Sequence, residues 1–229
     1  MSETRDVITI DGPSGVGKST ISRRVAQTLG YTYLDTGAMY RAVGLFLFEN
    51  QVELADDQAV RAALANIHIE LLPCTGEQDD TGVLLNGRDV SSAIRTPAMA
   101  MIASQVSALP SVRAKLTALQ QEIGRTGKVV AEGRDTGTVV FPLAGHKFFL
   151  DARPEERARR RIRQLRARGE TVDEQAILRM TVERDTNDRE RAIAPLRQAE
   201  DALAIDTTCK NLDEVTAEVL RALRTTEKG

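Results

Sequence analysis

The 229-residue chain contains no tryptophan, and aromatic residues make up only 3% of it. That is poor material for a platform on which successive nucleobases stack. Its formal net charge is −2, from 31 Lys and Arg against 33 Asp and Glu. So small an excess gives no whole-molecule attraction to a polyanion, and no nucleic-acid partner is expected. No apolar run approaches the length that spans a bilayer, so no membrane partner is expected either. Val7 already opens an apolar run, and a secretory leader is not expected before it. There are two cysteines, Cys74 and Cys209, and two histidines, His68 and His146. The cysteines lack metal-ligand spacing and are expected to be thiols, which suits a reducing cytoplasm. His68 alternates with Ile67 and Ile69 as a solvent-facing strand residue, and His146 sits in the turn before a strand. Neither has a partner pattern that makes it a metal ligand. What remains is a globular composition, 41% hydrophobic and 28% charged, enough for one core with small insertions.

Against these absences stands Gly12-Pro13-Ser14-Gly15-Val16-Gly17-Lys18-Ser19, which fits the pattern G-x-x-x-x-G-K-[ST]. Upstream, Val7–Ile10 reads as a buried strand; downstream, Ile21, Val25, Ala26 and Leu29 recur at helical spacing from Lys18. Strand, glycine-rich turn and helix in that order aim several backbone N–H groups and a helix N-terminus at one point, where an oligophosphate can rest. The residues from Gly12 to Thr20 are therefore candidates for holding a nucleoside triphosphate, with Lys18 at its β/γ oxygens and the Ser19 hydroxyl on Mg²⁺.

Further strands are expected at Tyr31–Leu34, Val129–Glu132, Lys147–Leu150 and Leu203–Asp206. Helices are expected near Ala38–Phe48, Pro97–Leu109, Ser111–Arg125, Pro154–Arg168, Asp173–Arg191 and Leu212–Leu223. Strands alternating with helices argue for a parallel sheet in an α/β sandwich, with ligand at the carboxyl ends of the strands. One stretch breaks this rhythm. Ile67–Leu72 and Val83–Leu85 are strand-like, joined by a polar loop containing Gly76 and Gly82, and Asn86-Gly87 makes a two-residue hairpin into Arg88–Val90. This is a small antiparallel insert.

Phosphoryl transfer needs positive charge around the moving group, and arginines occur where strands end. Asp35-Thr36-Gly37 precedes Arg41 by one helical turn, although Asp or Thr before a helix is also an ordinary N-cap. Glu132-Gly133-Arg134-Asp135 closes an apolar strand: the acid could hold a water on Mg²⁺ and the next two residues project into a cleft, or the segment is simply a charged turn. Eight arginines fall between Arg153 and Arg168, with Arg157 and Arg161 on one side; they suit a lid over ATP, a nucleic-acid contact or a solvated face. Arg184, Asp188 and Arg191 share one helix face, as a ribose contact or a surface ion-pair ladder.

Taken together these segments resemble the bacterial cytidylate kinase family over nearly the whole chain. The resemblance rests on Ile10–Gly15, Asp35–Arg41, Gly133–Pro142 and the run from Glu183 through Leu196, with GRDTGTVVFP and the inserted sheet the most specific. It implies a three-layer P-loop nucleoside monophosphate kinase fold: a five-stranded parallel core (1–65 and 105–229), a monophosphate-binding insert (66–104) and an arginine-rich lid (153–170). It implies ATP and CMP or dCMP as substrates, Mg²⁺ as cofactor, and a cytoplasmic monomer. Thr36, Arg41 and Arg134 would hold the CMP phosphate; Ser104, Arg113, Asp135 and Arg191 would surround cytosine; Arg184 and Asp188 would meet the ribose. Lys18, Arg134, Arg157 and Arg161 would act on the transferring group, with Ser19 and, through water, Glu132 at the metal. A kinase for UMP or AMP is the same-class alternative. A GTPase would need an N-K-x-D guanine motif, which is absent, and an ATP-dependent nucleic-acid binder would need to use the arginine helix.

Overall fold

The computed structural model describes residues 6–72 and 81–226; Cys74 and Gly76 lie outside them. Strand β1 (Val7–Asp11) is buried at every position and lies at the centre of a five-stranded sheet. β-branched Val and Ile suit a strand covered on both faces. The order is β2 (Thr32–Asp35), β6 (Val129–Gly133), β1, β7 (His146–Asp151), β8 (Leu203–Asp206), and every pairing is parallel.

Alternate residues of the strands enter two different cores. Val129 and Ala131 pack with Leu34, Met39, Val43 and Leu116, whereas Val130 packs with Ile8, Ile10, Phe148 and Leu150. The first core is closed by α2 (Thr36–Glu49) and α5 (Pro110–Gly124); the second by α1 (Lys18–Leu29) and α8 (Leu212–Thr226). The expected three-layer α/β sandwich is therefore present. Burying each such aliphatic side chain contributes about 1.5–3 kcal/mol before chain entropy is set against it.

The insert also forms. Strands β3 (Ile69–Leu72), β4 (Gly82–Leu85) and β5 (Arg88–Asp89) make an antiparallel sheet, with Asn86 (φ 50°) and Gly87 (φ 78°) turning the hairpin. Val83, Leu85 and Val90 join the α2 core. His68 is exposed beside Glu70, and His146 opens β7 rather than preceding it. Helix α3 (Asp57–Ala65) was not expected. It is capped by Asp56 and buries only Val60 and Leu64, one turn apart, too narrow a stripe to stand out as a helical period.

Helix α4 (Pro97–Val106) follows a 3₁₀ turn at Ala93–Arg95, and α6 (Pro154–Ala167) packs against α7 (Glu174–Glu190). The chain after β6 forms a π-helical turn, Thr136–Val140, across the end of β1. The Asp11 carboxylate holds it there, accepting from the Thr136 amide at 2.9 Å, the Thr136 hydroxyl at 2.8 Å and the Gly137 amide at 2.7 Å. Burial nevertheless raises the Asp11 pKa against these bonds. No helix among the described residues is long and apolar enough to cross a membrane.

The junction between β1 and the following loop requires glycine. Gly12 has φ 148°, and a Cβ there would lie 2.0 Å from the Leu150 carbonyl oxygen of β7. Gly12→Ala is expected to cost about 1–3 kcal/mol through overpacking and backbone strain. A chemical-denaturation midpoint equal to that of the wild type would contradict this account.

Candidate active site

The residues after β1 wrap the N-terminus of α1. Gly17, at φ 99°, precedes the helix and offers no side-chain cap, so the first-turn amides remain available to an anion. Lys18 is buried and folds back so that its Nζ donates to the Pro13 carbonyl at 2.6 Å. Burial, followed by the Arg134 charge, holds its pKa well below that of an ordinary lysine. Ser14 to Thr20 line a cleft of about 1460 Å³ at the carboxyl ends of the strands.

One corner of the cleft is acidic. Glu132, on β6, accepts from the Tyr33 hydroxyl at 2.6 Å through Oε1, while its buried Oε2 has no hydrogen-bond partner. Burial and neighbouring Asp35 raise its pKa; Lys18, Tyr33 and Ser19 act in the opposite direction. An unpartnered carboxylate oxygen beside the Ser19 hydroxyl fits a hydrated Mg²⁺, a hard cation that keeps much of its water. The Thr36 hydroxyl donates to the Glu132 backbone carbonyl at 2.6 Å, tying α2 to the same strand end.

Next to it lies a cluster of cations. Arg134 donates to Asp188 at 2.7 Å; burial disfavours its charge, but Asp188 outweighs burial and its pKa is raised. Arg184 donates to the Ser14 hydroxyl at 3.2 Å and leaves a buried Nε unpartnered. Burial and the charge of Arg134 lower its pKa to about 10. Arg41 pairs with Asp35 at 3.3 Å, and its buried Nε is also unpartnered. Burial pushes the Asp188 pKa up, but Arg134 and Arg184 together bring it below the ordinary value. Arg184 thus reaches the phosphate loop, while its expected ribose companion Asp188 holds Arg134.

A third corner is organised around Asp135, which is buried between Arg113 and Arg191. Arg191 donates to Oδ1 at 3.1 Å and Arg113 to Oδ2. Burial raises the Asp135 pKa and the two arginines oppose it. Arg113 lies 5.6 Å from the centre of the Tyr40 ring, a cation–π contact. Ser104 lines the cleft nearby. Ser107, not among the expected residues, accepts from Arg113 through its carbonyl at 3.3 Å and from Arg191 through its hydroxyl at 3.2 Å.

The two arginines expected to act from α6 differ in setting. Arg161 is half-buried on the cleft wall and has no hydrogen-bonded or ion-pair partner among the described residues; burial, then Arg168, lowers its pKa. Arg157 is instead 2% exposed, with Nε on the Ala152 carbonyl at 2.9 Å and Nη1 on the Ser14 carbonyl at 3.0 Å. Its guanidinium also forms a forked pair with Asp185. Arg157 is buried on α6 together with Ala158, Ile162 and Leu165, and its partners on the phosphate loop and α7, not the helical spacing, distinguish it from Arg161. Asp185, Tyr33 and Thr207 were also missed, since each acts on a partner distant in sequence.

This geometry agrees with the comparisons. Residues 8–225 match the family model for cytidylate kinase. A cytidylate kinase of Syntrophotalea carbinolica is 49% identical over 217 residues, covering 95% of this chain and 91% of the relative. One of Carboxydothermus hydrogenoformans is 48% identical, covering 94% and 96%. A solved structure of an uncharacterised Eubacterium ventriosum protein is 10% identical over 96% of this chain and 99% of its own, with a TM-score of 0.50, a likeness of fold alone. Matched by that family model over residues 8–225 and by such relatives at 48–49% identity along almost their full length, the chain belongs to the cytidylate kinase family.

Proposed function

We propose that the chain transfers the γ-phosphoryl group of ATP to CMP or dCMP, giving ADP and CDP or dCDP. The observation that carries this reading is the cleft itself. Its phosphate loop and its Asp135 corner lie on either side of one cation cluster, formed by Lys18, Arg41, Arg134 and Arg184. Transfer is direct and in line, with no covalent enzyme intermediate, so catalysis is positioning and electrostatics.

On this reading Gly12 to Thr20 hold the ATP phosphates, and Thr36, Arg41 and Arg134 hold the acceptor phosphate. Lys18, Arg134 and Arg161 neutralise charge on the moving group. When Mg²⁺ is bound, Ser19 and a water on Glu132 would hold it, and it would supply charge to the β- and γ-oxygens. Arg184 and Asp188 face the acceptor sugar, and Ser104, Arg113, Asp135 and Arg191 the cytosine ring. Residues 66–104 serve as the acceptor-binding insert and 153–170 as a lid whose closure excludes water, which would otherwise waste ATP. The reading places the enzyme in the cytoplasm as a monomer, a setting that suits the exposed free thiol of Cys209. An ADP-release assay with all nucleoside monophosphates in parallel tests it: CMP and dCMP should turn over best, and a preference for UMP or AMP would replace it.

Lys18→Ala is expected to reduce kcat by at least ~10²-fold in a folded protein, the scale of losing one strong electrostatic stabiliser. Near-normal turnover would remove the loop from the chemistry. The depressed pKa of Lys18 has a second consequence. Above that pKa the free enzyme carries a neutral amine, and a triphosphate arriving beside it raises its pKa again. ATP binding at alkaline pH should therefore take up a proton and weaken as pH rises further. Calorimetry in two buffers of different ionisation enthalpy measures the uptake; Lys18→Arg should show less, keeping only what Arg184 takes up, and equal heats for the wild type would contradict the assignment.

Base choice follows from donor–acceptor matching. A carboxylate at Asp135 accepts from cytosine's amino group but meets uracil's carbonyl lone pair to lone pair, and buried mismatches of this kind are rejected strongly. Asp135→Asn can turn an N–H toward uracil and should narrow the CMP-over-UMP ratio of kcat/KM, even as overall activity falls. An unchanged ratio would make Asp135 structural, with the base read elsewhere.

A further inference from the structure

We infer that Arg157 and Thr207 are positioning residues that set the direction of two phosphate-loop peptides, so that α6 shapes the donor site. The inference rests on the donor-site reading above. Ser14 directs its carbonyl to Arg157 Nη1 at 3.0 Å. Val16 points its carbonyl to the Thr207 hydroxyl at 3.2 Å. The described chain has no cis peptide bond, and in a trans peptide the N–H of the next residue points opposite to the carbonyl. Anchoring the Ser14 and Val16 carbonyls therefore turns the Gly15 and Gly17 amides away from Arg157 and Thr207, which on the donor-site reading is toward the anion.

Both anchors are themselves fixed. Asp185 holds the guanidinium of Arg157 in a fork, and Ala152 at the end of β7 takes its Nε. Thr207 receives Arg160, one turn along α6, through its carbonyl at 2.5 Å and its hydroxyl at 3.2 Å. Contact is close: a Cβ on Gly15 would lie 3.2 Å from the Arg157 Cβ. With four of its five N–H donors spent on these partners, the guanidinium is held in place, and its effect reaches the nucleotide through the loop backbone.

Full-length Asp185→Asn, Arg157→Lys and Thr207→Val are compared with the wild type by titration with a non-hydrolysable ATP analogue and by steady-state kinetics. Loss of bonds to a charged group should weaken the analogue about 10- to 100-fold in the first two. Thr207→Val removes the hydroxyl's bonds to Val16 and from Arg160, and release of the Val16 carbonyl should weaken the analogue at least about 3- to 10-fold. The KM for CMP should not change, a split that general loss of structure would not give. The Asp185→Asn/Arg157→Lys double variant should be no worse than either single one, as expected of one coupled unit. Wild-type analogue affinity in Asp185→Asn and Thr207→Val would overturn the inference, as would a fall in kcat without weaker ATP binding in Arg157→Lys. Should Asp185→Asn not fold, Thr207→Val decides alone. Failure of the wild type to bind the analogue would overturn the donor-site reading itself, a different result from failure of these variants.

Discussion

Mutual repulsion among buried cations is the constraint on which the rest of the site depends. Lys18, Arg41, Arg134 and Arg184 come from the phosphate loop, α2, the end of β6 and α7 and line one cleft, where Lys18 feels Arg134 and Arg184, and Arg184 feels Arg134 and Arg41. Among the described residues, Asp35 and Asp188 are the carboxylates that form ion pairs with members of the group. Burial first and neighbouring positive charge second depress the pKa values of Lys18 and Arg184, whereas nearby carboxylates, Asp188 foremost, keep that of Arg134 raised. An oligophosphate reverses the sign of that interaction: the same charges that strain the free protein become the source of affinity, and most of all for the extra negative charge shared during transfer.

The sheet makes such a concentration possible. All five strands run parallel, so β1, β2 and β6 end on one edge and deliver Asp11, Asp35 and Glu132 together with the loops that follow them. Asp11 is consumed in holding the Thr136 turn, which fixes where the segment carrying Arg134 and Asp135 lies relative to the phosphate loop. Asp135 then divides two arginines between its oxygens, converting part of a cationic wall into an oriented acceptor. One edge of one sheet thus carries the phosphate-loop corner and the Asp135 corner, with Arg184 of α7 reaching the first and Arg191, just after α7, the second.

Much of this was legible in the sequence because the chemistry is tied to strand ends. The β1–loop–α1 unit follows from apolar residues on either side of Gly12–Ser19, and Glu132, Arg134 and Asp135 follow from the apolar run that stops just before them. The insert was legible from Asn86-Gly87. Helix α3 was not, because Val60 and Leu64 alone face the core. Nor was the division of labour between Arg157 and Arg161, which stand in a helix so rich in arginine that composition cannot separate them. Their difference comes from contacts spanning 143 residues, Arg157 to Ser14, and from the partner Asp185 on the next helix. Ser107 and Thr207 were hidden for a related reason: half of what they do is done by their backbone carbonyls, which every residue possesses.

The central claim is that one cation cluster serves two nucleotides at once, and it is tested most directly by a single ligand joining adenosine and cytidine through a chain of phosphates. If both nucleotide sites share the cluster, this ligand should bind about 10²-fold or more tightly than ATP alone, because the second half binds as an intramolecular event. The advantage should vanish in Arg184→Met, where the two halves lose the charge between them. A linked ligand that binds wild type no more tightly than ATP would show that the two ends of the cleft do not act as one site.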